Sequence, residues 1–173
     1  STFSVAERLA SHGVAVVAPD HTGGTLPDML ADNAAPLDTT FLQTRADDIE
    51  VVLDRVLDPG ATELPEALRG RFDAARVGVF GHSFGGVTAG LVLMQDERPK
   101  AGLALAVPME NPLLPGVTVS SLHVPLYFVK ANEDHSIGQL GNQLIDSNYA
   151  SANPPAGLLQ VADAGHWSFT DIC

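Results

Sequence analysis

Runs of apolar residues alternate along the chain with longer segments whose apolar residues recur at helical spacing. The apolar runs cover residues 14–18, 76–80, 101–107, 125–130 and 157–162. Runs of this kind are typical of strands that are buried on both faces of a parallel sheet. Helices are predicted over residues 3–12, 39–57, 87–94 and 137–149, with a shorter helical piece at 65–69. The alternation predicts one α/β domain over residues 1–173, a mostly parallel sheet flanked by helices.

Local signals add detail to the first part of this pattern. Ser4 and Glu7 have the spacing of a helix capping box, and Gly13 is suited to ending the helix that follows. Prolines, aspartates and an asparagine at residues 25–37 predict irregular surface structure. The helix over 39–57 carries its acidic residues largely away from its apolar face, which predicts a solvated surface rather than a metal site.

The junction of strand and helix at residues 77–88 carries the strongest chemical signal. It contains Gly81, His82, Ser83, Phe84 and Gly85, which match Gly-x-Ser-x-Gly in the strand–turn–helix setting that this motif requires. Gly81 and Gly85 are expected to be needed because a Cβ at either position would collide across the sharp turn. A phosphate-binding loop is disfavoured, because Gly-x-Gly-x-x-Gly and the Lys-Ser/Thr of a P-loop are missing. The sequence therefore predicts that Ser83 is a nucleophile.

Two further strand ends supply the partners that a serine nucleophile needs. Functional loops gather beyond the carboxyl ends of parallel strands, and Asp134 and His166 each follow a predicted strand. The order Ser, Asp, His is the one expected for this kind of turn. His166 is expected to accept the serine proton, and Asp134 to orient the imidazole. Glu133 and Glu110 are alternative candidates for the acid.

The other histidines are given lesser roles. His12, His21 and His123 are interpreted as structural or surface residues. His82 is expected to point away from a bound ester if Ser83 points toward it, and His135 is a candidate for lining the pocket.

Composition limits the function classes. The chain has 173 residues and a net charge of −12, which argues against nucleic acid and anionic membranes as partners. No apolar stretch has the length of a membrane span. The single Cys173 cannot form an internal disulfide. No cluster has metal-ligand spacing and no motif indicates a nucleotide, so no cofactor is predicted; compartment and oligomeric state stay open.

Three segments resemble the α/β-hydrolase superfamily: VVAPDH at 16–21, RVGVFGHSFGG at 76–86 and GHWSF at 165–169. Within it they resemble bacterial dienelactone-hydrolase-like esterases and plasma-type platelet-activating-factor acetylhydrolases. The resemblance covers nearly the whole chain and implies an α/β-hydrolase fold and a serine esterase. Dienelactone hydrolases use a cysteine nucleophile, whereas this chain has Ser83, so the resemblance does not imply lactone hydrolysis. The acetylhydrolases place their acid where this chain has Ala106, which favours Asp134, the commoner position in the superfamily.

The resemblance also implies an oxyanion hole with two backbone donors. The N–H of Phe84 is expected to be one of them, and the second is expected upstream of Ser1. Superfamily members have several strands before the helix predicted at 3–12 and a closing helix after the last loop. N-terminal strands are therefore expected to be missing, and the chain is expected to be an incomplete domain at both ends.

These observations lead to one main hypothesis, a carboxylic-ester hydrolase that acts through an acyl-enzyme on a small-molecule ester. The short loop between residues 107 and 125 leaves no room for a large lid, which favours short- to medium-chain esters. Met109, Leu113 and Trp167 are candidates for lining the acyl pocket. The alternatives are acyl transfer or peptide hydrolysis by the same residues, or a non-catalytic hydrolase-like binding domain.

Overall fold

A computed structural model describes residues 2–171, which form helices and parallel strands. The helices are α1 (Phe3–Ala10), α2 (Leu26–Leu30), α3 (Thr39–Leu57), α4 (Phe84–Gln95) and α5 (Gly138–Ser151). The strands are β1 (Val77–His82), β2 (Pro99–Leu105), β3 (Leu126–Ala131) and β4 (Ala156–Val161). Short 3₁₀ turns cover Glu66–Leu68, Val119–Ser121 and His166–Phe169.

The strands form a four-stranded sheet in the order β1-β2-β3-β4, and every neighbouring pair is parallel. The register aligns Gly81 with Ala104 and Phe128 with Leu158. Helix α4 makes the crossover from β1 to β2 and α5 makes the crossover from β3 to β4. This arrangement confirms the predicted α/β class, and it brings the carboxyl ends of all the strands to one edge of the sheet.

The core lies between the sheet and the helices α3, α4 and α5. Helix α4 is buried on nearly all sides from Gly86 to Val92, because α3 packs on the face opposite the sheet. The apolar face of α3 supplies Leu42 and Ala46 to the same core, which confirms its predicted helical pattern. One cluster holds the largest fully buried side chains, among them Phe128, Leu126, Ile145, Val87 and Met109. A core of this kind fixes the start of α4, where Ser83 lies.

The prediction of a buried strand over residues 14–18 is wrong. This run is irregular in the structure, and Val14 and Val17 are 47% and 52% exposed. An apolar run becomes a strand only when a neighbouring strand pairs with its backbone groups. Within residues 2–171, the sheet contains β1 to β4 alone and leaves this run outside it.

Two local predictions near the N-terminus are also wrong. Ser4 lies inside α1 rather than capping it, and the backbone N–H groups of Phe3 and Ser4 donate instead to the carboxylate of Asp171, at 2.6 and 3.0 Å. The segment predicted to be irregular contains α2, which begins with a capping box between Thr25 and Asp28. At α1 an acidic side chain accepts the first free N–H groups of the helix, whereas at α2 the Thr25 hydroxyl accepts the N–H of Asp28 and the Asp28 carboxylate accepts the N–H of Thr25.

Two acidic residues of the solvated face of α3 also form contacts with other parts of the chain. Asp48 forms a 2.7 Å contact with His21, and Asp54 forms a 2.6 Å ion pair with Arg98. Arg98 also binds both carboxylate oxygens of Asp96, and these hydrogen bonds raise the pKa of Arg98. Arg98 therefore joins α3 to the chain just before β2. Among the described residues, no helix is long and apolar enough to cross a membrane, and no cluster of three His, Cys, Asp or Glu side chains is suited to a metal.

Candidate active site

Ser83 occupies a sharp turn between β1 and α4. Its backbone has φ 52° and ψ −128°, in the left-handed half of conformational space that non-glycine residues rarely adopt. The N–H of Ser83 donates to the carbonyl of Leu105 at 3.0 Å, and its own carbonyl accepts from Gly86 N–H at 2.8 Å. A Cβ at Gly81 would overlap the carbonyl of Gly85, so this turn requires glycine at position 81.

The expectation for Gly85 is wrong. A Cβ at this position would meet only Arg45 Nη2, at an ordinary contact distance of 3.7 Å. The second close approach falls instead on Gly86, where a Cβ would overlap the Val107 side chain of the residues after β2. The turn therefore depends on Gly81 and Gly86, because the first turn of α4 directs Gly85 away from β1 and Gly86 toward the sheet.

Asp134 lies in the loop after β3 and is 3% exposed. Its Oδ1 accepts hydrogen bonds from the backbone N–H groups of Ser136 and Ile137, at 2.9 and 3.1 Å. Its Oδ2 lies 2.7 Å from Nδ1 of His166. The two backbone donors fix the rotation of the carboxylate, so one oxygen stays directed at the imidazole.

His166 lies in the loop after β4, at the start of a 3₁₀ turn, and is 6% exposed. Its Nδ1 faces Asp134 and its Nε2 lies 2.9 Å from Oγ of Ser83. When Nδ1–H donates to the carboxylate, Nε2 carries the lone pair and accepts the Ser83 hydroxyl proton. The three side chains thus form one continuous hydrogen-bonded chain across three strand ends, as the sequence order predicts.

Glu110, an alternative acid, belongs to a different part of the structure. Its Oε2 accepts the N–H of Val119 at 2.8 Å. The side chain of Asn148 on α5 accepts from the backbone N–H of Glu110 at 2.8 Å and donates to its carbonyl at 3.1 Å. These contacts tie the loop between β2 and β3 to α5. The carboxylate that contacts His166 is that of Asp134.

Phe84 is the first residue of α4, so its N–H belongs to the helix end that has no intrahelical acceptor. This is the position that the sequence predicts for one oxyanion donor; the predicted second donor lies upstream of Ser1. The Phe84 ring stacks on Phe41 of α3 at a centroid distance of 5.8 Å. The guanidinium of Arg45 lies 5.6 Å from both ring centroids, and its Nε donates to Thr88 Oγ1 at 3.2 Å. Burial lowers the pKa of Arg45.

The three candidate pocket residues lie in different environments. Met109 is 0% exposed in the hydrophobic core, so the prediction that it lines an acyl pocket is wrong. Leu113 is 85% exposed, on a loop whose neighbours Glu110 and Pro112 line a groove against the end of α5. Trp167 is 53% exposed, and its ring lies edge-on to His166 at 5.1 Å. Only Trp167 contacts the hydrogen-bonded chain that includes Ser83.

Two other histidines, His21 and His82, form specific contacts in the structure. His21 is buried and bonded to Asp48, in keeping with its interpretation as a structural residue. His82 does more than precede Ser83 in the chain, since its Nε2 lies 2.7 Å from the carbonyl oxygen of His166. The sequence did not indicate this contact, because β1 and β4 are separated by two strands in the sheet.

The fold and this arrangement of strand ends define an α/β hydrolase. The chain belongs to the dienelactone hydrolase family, whose model matches residues 1–171. It is 36% identical over 105 residues to the cutinase est2 of Thermobifida alba, covering 60% of this chain and 27% of that protein. It is 32% identical over 130 residues to the cutinase cut1 of Thermobifida fusca, covering 74% of this chain and 33% of that protein.

A solved structure supports the same assignment. The ferulic acid esterase from Streptomyces cinnamoneus superposes with a TM-score of 0.63 at 29% identity, over 83% of this chain and 38% of that chain. The present chain therefore spans about a third of the length of these relatives. These matches establish the family and the fold.

Proposed function

We propose that the protein is a carboxylic-ester hydrolase whose nucleophile is Ser83. One observation carries the proposal, the hydrogen-bonded chain from Asp134 through His166 to Ser83 Oγ, with contacts of 2.7 and 2.9 Å. Both lie within the range that proton transfer between positioned groups needs. The names of the cutinase and ferulic acid esterase relatives are consistent with ester cleavage.

The proposed reaction begins when His166 Nε2 accepts the Ser83 hydroxyl proton as Oγ attacks the ester carbonyl carbon. Negative charge develops on the carbonyl oxygen, where the Phe84 N–H is the proposed donor from this chain. The imidazolium of His166 is stabilised by Asp134 and returns its proton to the leaving alcohol oxygen. Water activated by the same imidazole then cleaves the acyl-enzyme, which releases the acid and restores Ser83.

The proposed substrates are short- to medium-chain esters. The segment between β2 and β3 holds only one 3₁₀ turn and is bonded to α5 through Glu110 and Asn148. We propose that a segment held in this way does not act as a large lid over Ser83. Trp167 offers an exposed apolar ring beside the imidazole of His166. An ester whose acyl or alkoxy group is small enough to pack on this single ring therefore fits the proposed site.

The experiment compares the full-length protein with its Ser83→Ala variant on p-nitrophenyl acetate and butyrate. We expect Ser83→Ala to lower kcat by about a millionfold, since a triad serine acts as a unit with its base. Ser147→Ala is the matched control, because Ser147 is exposed on α5 and its hydroxyl donates to the Gln143 carbonyl of the same helix. Undiminished turnover by Ser83→Ala would show that another group performs the reaction.

Labelling with a fluorophosphonate separates hydrolysis from a non-catalytic role. The wild-type protein and Ser147→Ala should be labelled at Ser83, and Ser83→Ala should not. A wild-type protein that resists the probe contradicts the proposal. A non-catalytic binding domain does not need His166 within hydrogen-bond reach of Ser83, so the 2.9 Å contact argues against that alternative.

A further inference from the structure

His82 and His166 contact each other through both backbone and ring. Nε2 of His82 lies 2.7 Å from the carbonyl oxygen of His166, so Nε2–H donates to that carbonyl. The two rings are 4.7 Å apart at their centroids, with an interplanar angle of 54°. The His82 ring also lies 5.8 Å from that of Trp167. One side chain from β1 therefore contacts both residues that begin the 3₁₀ turn after β4.

This hydrogen bond is one of two that join neighbouring residues of the turn, His82 and Ser83, to His166. His82 directly precedes Ser83, so the nucleophile strand reaches His166 twice, once at the carbonyl and once at Nε2. The turn that carries His166 is also held by Asp134 at Nδ1 of the imidazole and by the Glu133 N–H, which donates to the Ala164 carbonyl at 2.9 Å. Those contacts join the turn to the loop after β3, whereas the His82 contact joins it directly to the residue before Ser83.

We propose that His82 is a positioning residue that holds His166 at proton-transfer distance from Ser83 by donating Nε2–H to the His166 carbonyl. The inference rests on the proposed function, since it assigns a role within the same site. His82 acts through His166 and takes no proton from the substrate. A displacement of about 1 Å at a reacting group can cost about a hundredfold in rate, so this contact has a measurable effect.

The protonation of His82 suits this role. A neutral imidazole with its proton on Nε2 donates to the carbonyl without adding charge. Among the described residues, the charged groups that act on His82 are the imidazolium that forms on His166 and the carboxylate of Asp134. Burial lowers the pKa of His82, which keeps the ring neutral when His166 becomes positive.

The test uses two amide variants of the full-length protein, His82→Gln and His82→Asn. The glutamine amide nitrogen reaches about the position of imidazole Nε2, whereas the asparagine amide falls short of the His166 carbonyl. Both lose the ring, so they differ mainly in their reach. His123→Asn is the control, since His123 is exposed on the loop before β3.

The readouts are kcat and KM per active site titrated with the fluorophosphonate, and the midpoint of thermal unfolding. We expect His82→Asn to lower kcat by about 10- to 100-fold with KM changed less than about twofold, and His82→Gln to stay within about threefold of wild type. Equal kcat for Asn, Gln and wild type would overturn the proposal. An equal loss in both variants would also overturn it, because the donor would then be irrelevant.

A failure of the proposed function gives a different result. In that case Ser83→Ala keeps the esterase activity, whatever the His82 variants do. If Ser83→Ala is inactive and His82→Asn is as active as wild type per titrated site, only the role of His82 is refuted. A lower unfolding midpoint with unchanged kcat per site identifies a purely structural role and refutes it as well.

Discussion

At the scale of single residues, two carboxylates follow consecutive strands and have different partners. Asp134 accepts two backbone N–H groups on one oxygen and leaves the other for His166. Glu110 accepts the backbone N–H of Val119 and lies in the loop bonded to Asn148. The first arrangement orients an imidazole, and the second fixes a loop.

This difference predicts opposite effects for two amide substitutions. Asp134→Asn keeps the size of the side chain but removes the acceptor that selects the His166 tautomer, so we expect kcat to fall by about 10³- to 10⁴-fold. Glu110→Gln is the matched control and should leave kcat within a few fold. Initial rates on p-nitrophenyl butyrate measure both. The assignment of the acid would be reversed if Glu110→Gln were the inactive variant.

The sequence predicted the three bonded side chains because each lies at the end of a recognisable strand. It could not choose between Asp134 and Glu110 on geometry, since both follow strands and the distance to His166 depends on how the loops close. It also assigned Met109 to a pocket, because an apolar residue after a strand looks the same in sequence whether it faces substrate or core. The contact of His82 depends on a loop crossing from the far edge of the sheet, which no local pattern records.

At the scale of elements, β3 and α5 are joined beneath the loop that carries Asp134. Lys130 is 8% exposed near the end of β3, and its Nζ binds both oxygens of Asp146 on α5, at 2.6 and 2.8 Å. A buried ammonium without its partner is costly, because it has lost water and gained no acceptor. The ion pair therefore holds the crossover helix at the strand that ends in Asp134.

Removing one partner of the Lys130–Asp146 ion pair should destabilise the fold more than replacing both partners. Asp146→Ala leaves Lys130 buried and unpaired, and we expect the free energy of unfolding to fall by about 1–3 kcal/mol. The double variant Lys130→Met with Asp146→Leu should recover most of this loss, because no charge then remains buried. Urea unfolding of the full-length proteins measures each value.

Glu63→Ala provides the control for this pair. Glu63 forms an exposed ion pair with Arg55 at 3.6 Å, and exposed pairs contribute at most about 1 kcal/mol. If the double variant were as unstable as Asp146→Ala alone, lost packing rather than the unpaired ammonium would explain the effect.

Helices and strands were predicted with unequal success, for a physical reason. The predicted range of α3 is that of the structure, since one amphipathic face packs on α4 and Asp38 caps the first turn. The run at residues 14–18 has the composition of a strand but no partner within residues 2–171. A helix bonds to itself, whereas a strand depends on residues distant in sequence. A strand prediction therefore needs information about neighbouring strands that the local sequence does not contain.

At the scale of the whole molecule, acidification is expected to destabilise the fold through buried histidines. Burial lowers the pKa of His21 and outweighs the opposing hydrogen bond to Asp48. Near its ordinary pKa of about 6.5 the unfolded chain takes up a proton that the folded chain does not. The unfolded state then binds more protons, so stability is greatest above this pH and falls as the pH drops toward the folded pKa. Burial of His82 acts in the same direction.

The prediction is a steeper loss of stability between pH 7.5 and 5.5 for wild type than for His21→Asn. Asparagine places an amide near the position of Nδ1, so it can still donate to Asp48 but does not titrate. Thermal unfolding midpoints across this pH range measure the slope, and His123→Asn, which removes an exposed histidine, should keep the wild-type slope. Equal slopes for wild type and His21→Asn would assign the pH dependence to other groups.

The backbone of Ser83 has a consequence for how this protein tolerates change. Its φ of 52° belongs to a region where a non-glycine residue costs about 1–3 kcal/mol, and the packing of α4 and β2 around it maintains this conformation. A glycine at position 83 would adopt the same angles with little strain. The substitution that relaxes the turn also removes the hydroxyl, so stability and the proposed activity oppose each other at this one residue. Selection for thermal resistance alone would favour a variant that lacks the proposed nucleophile.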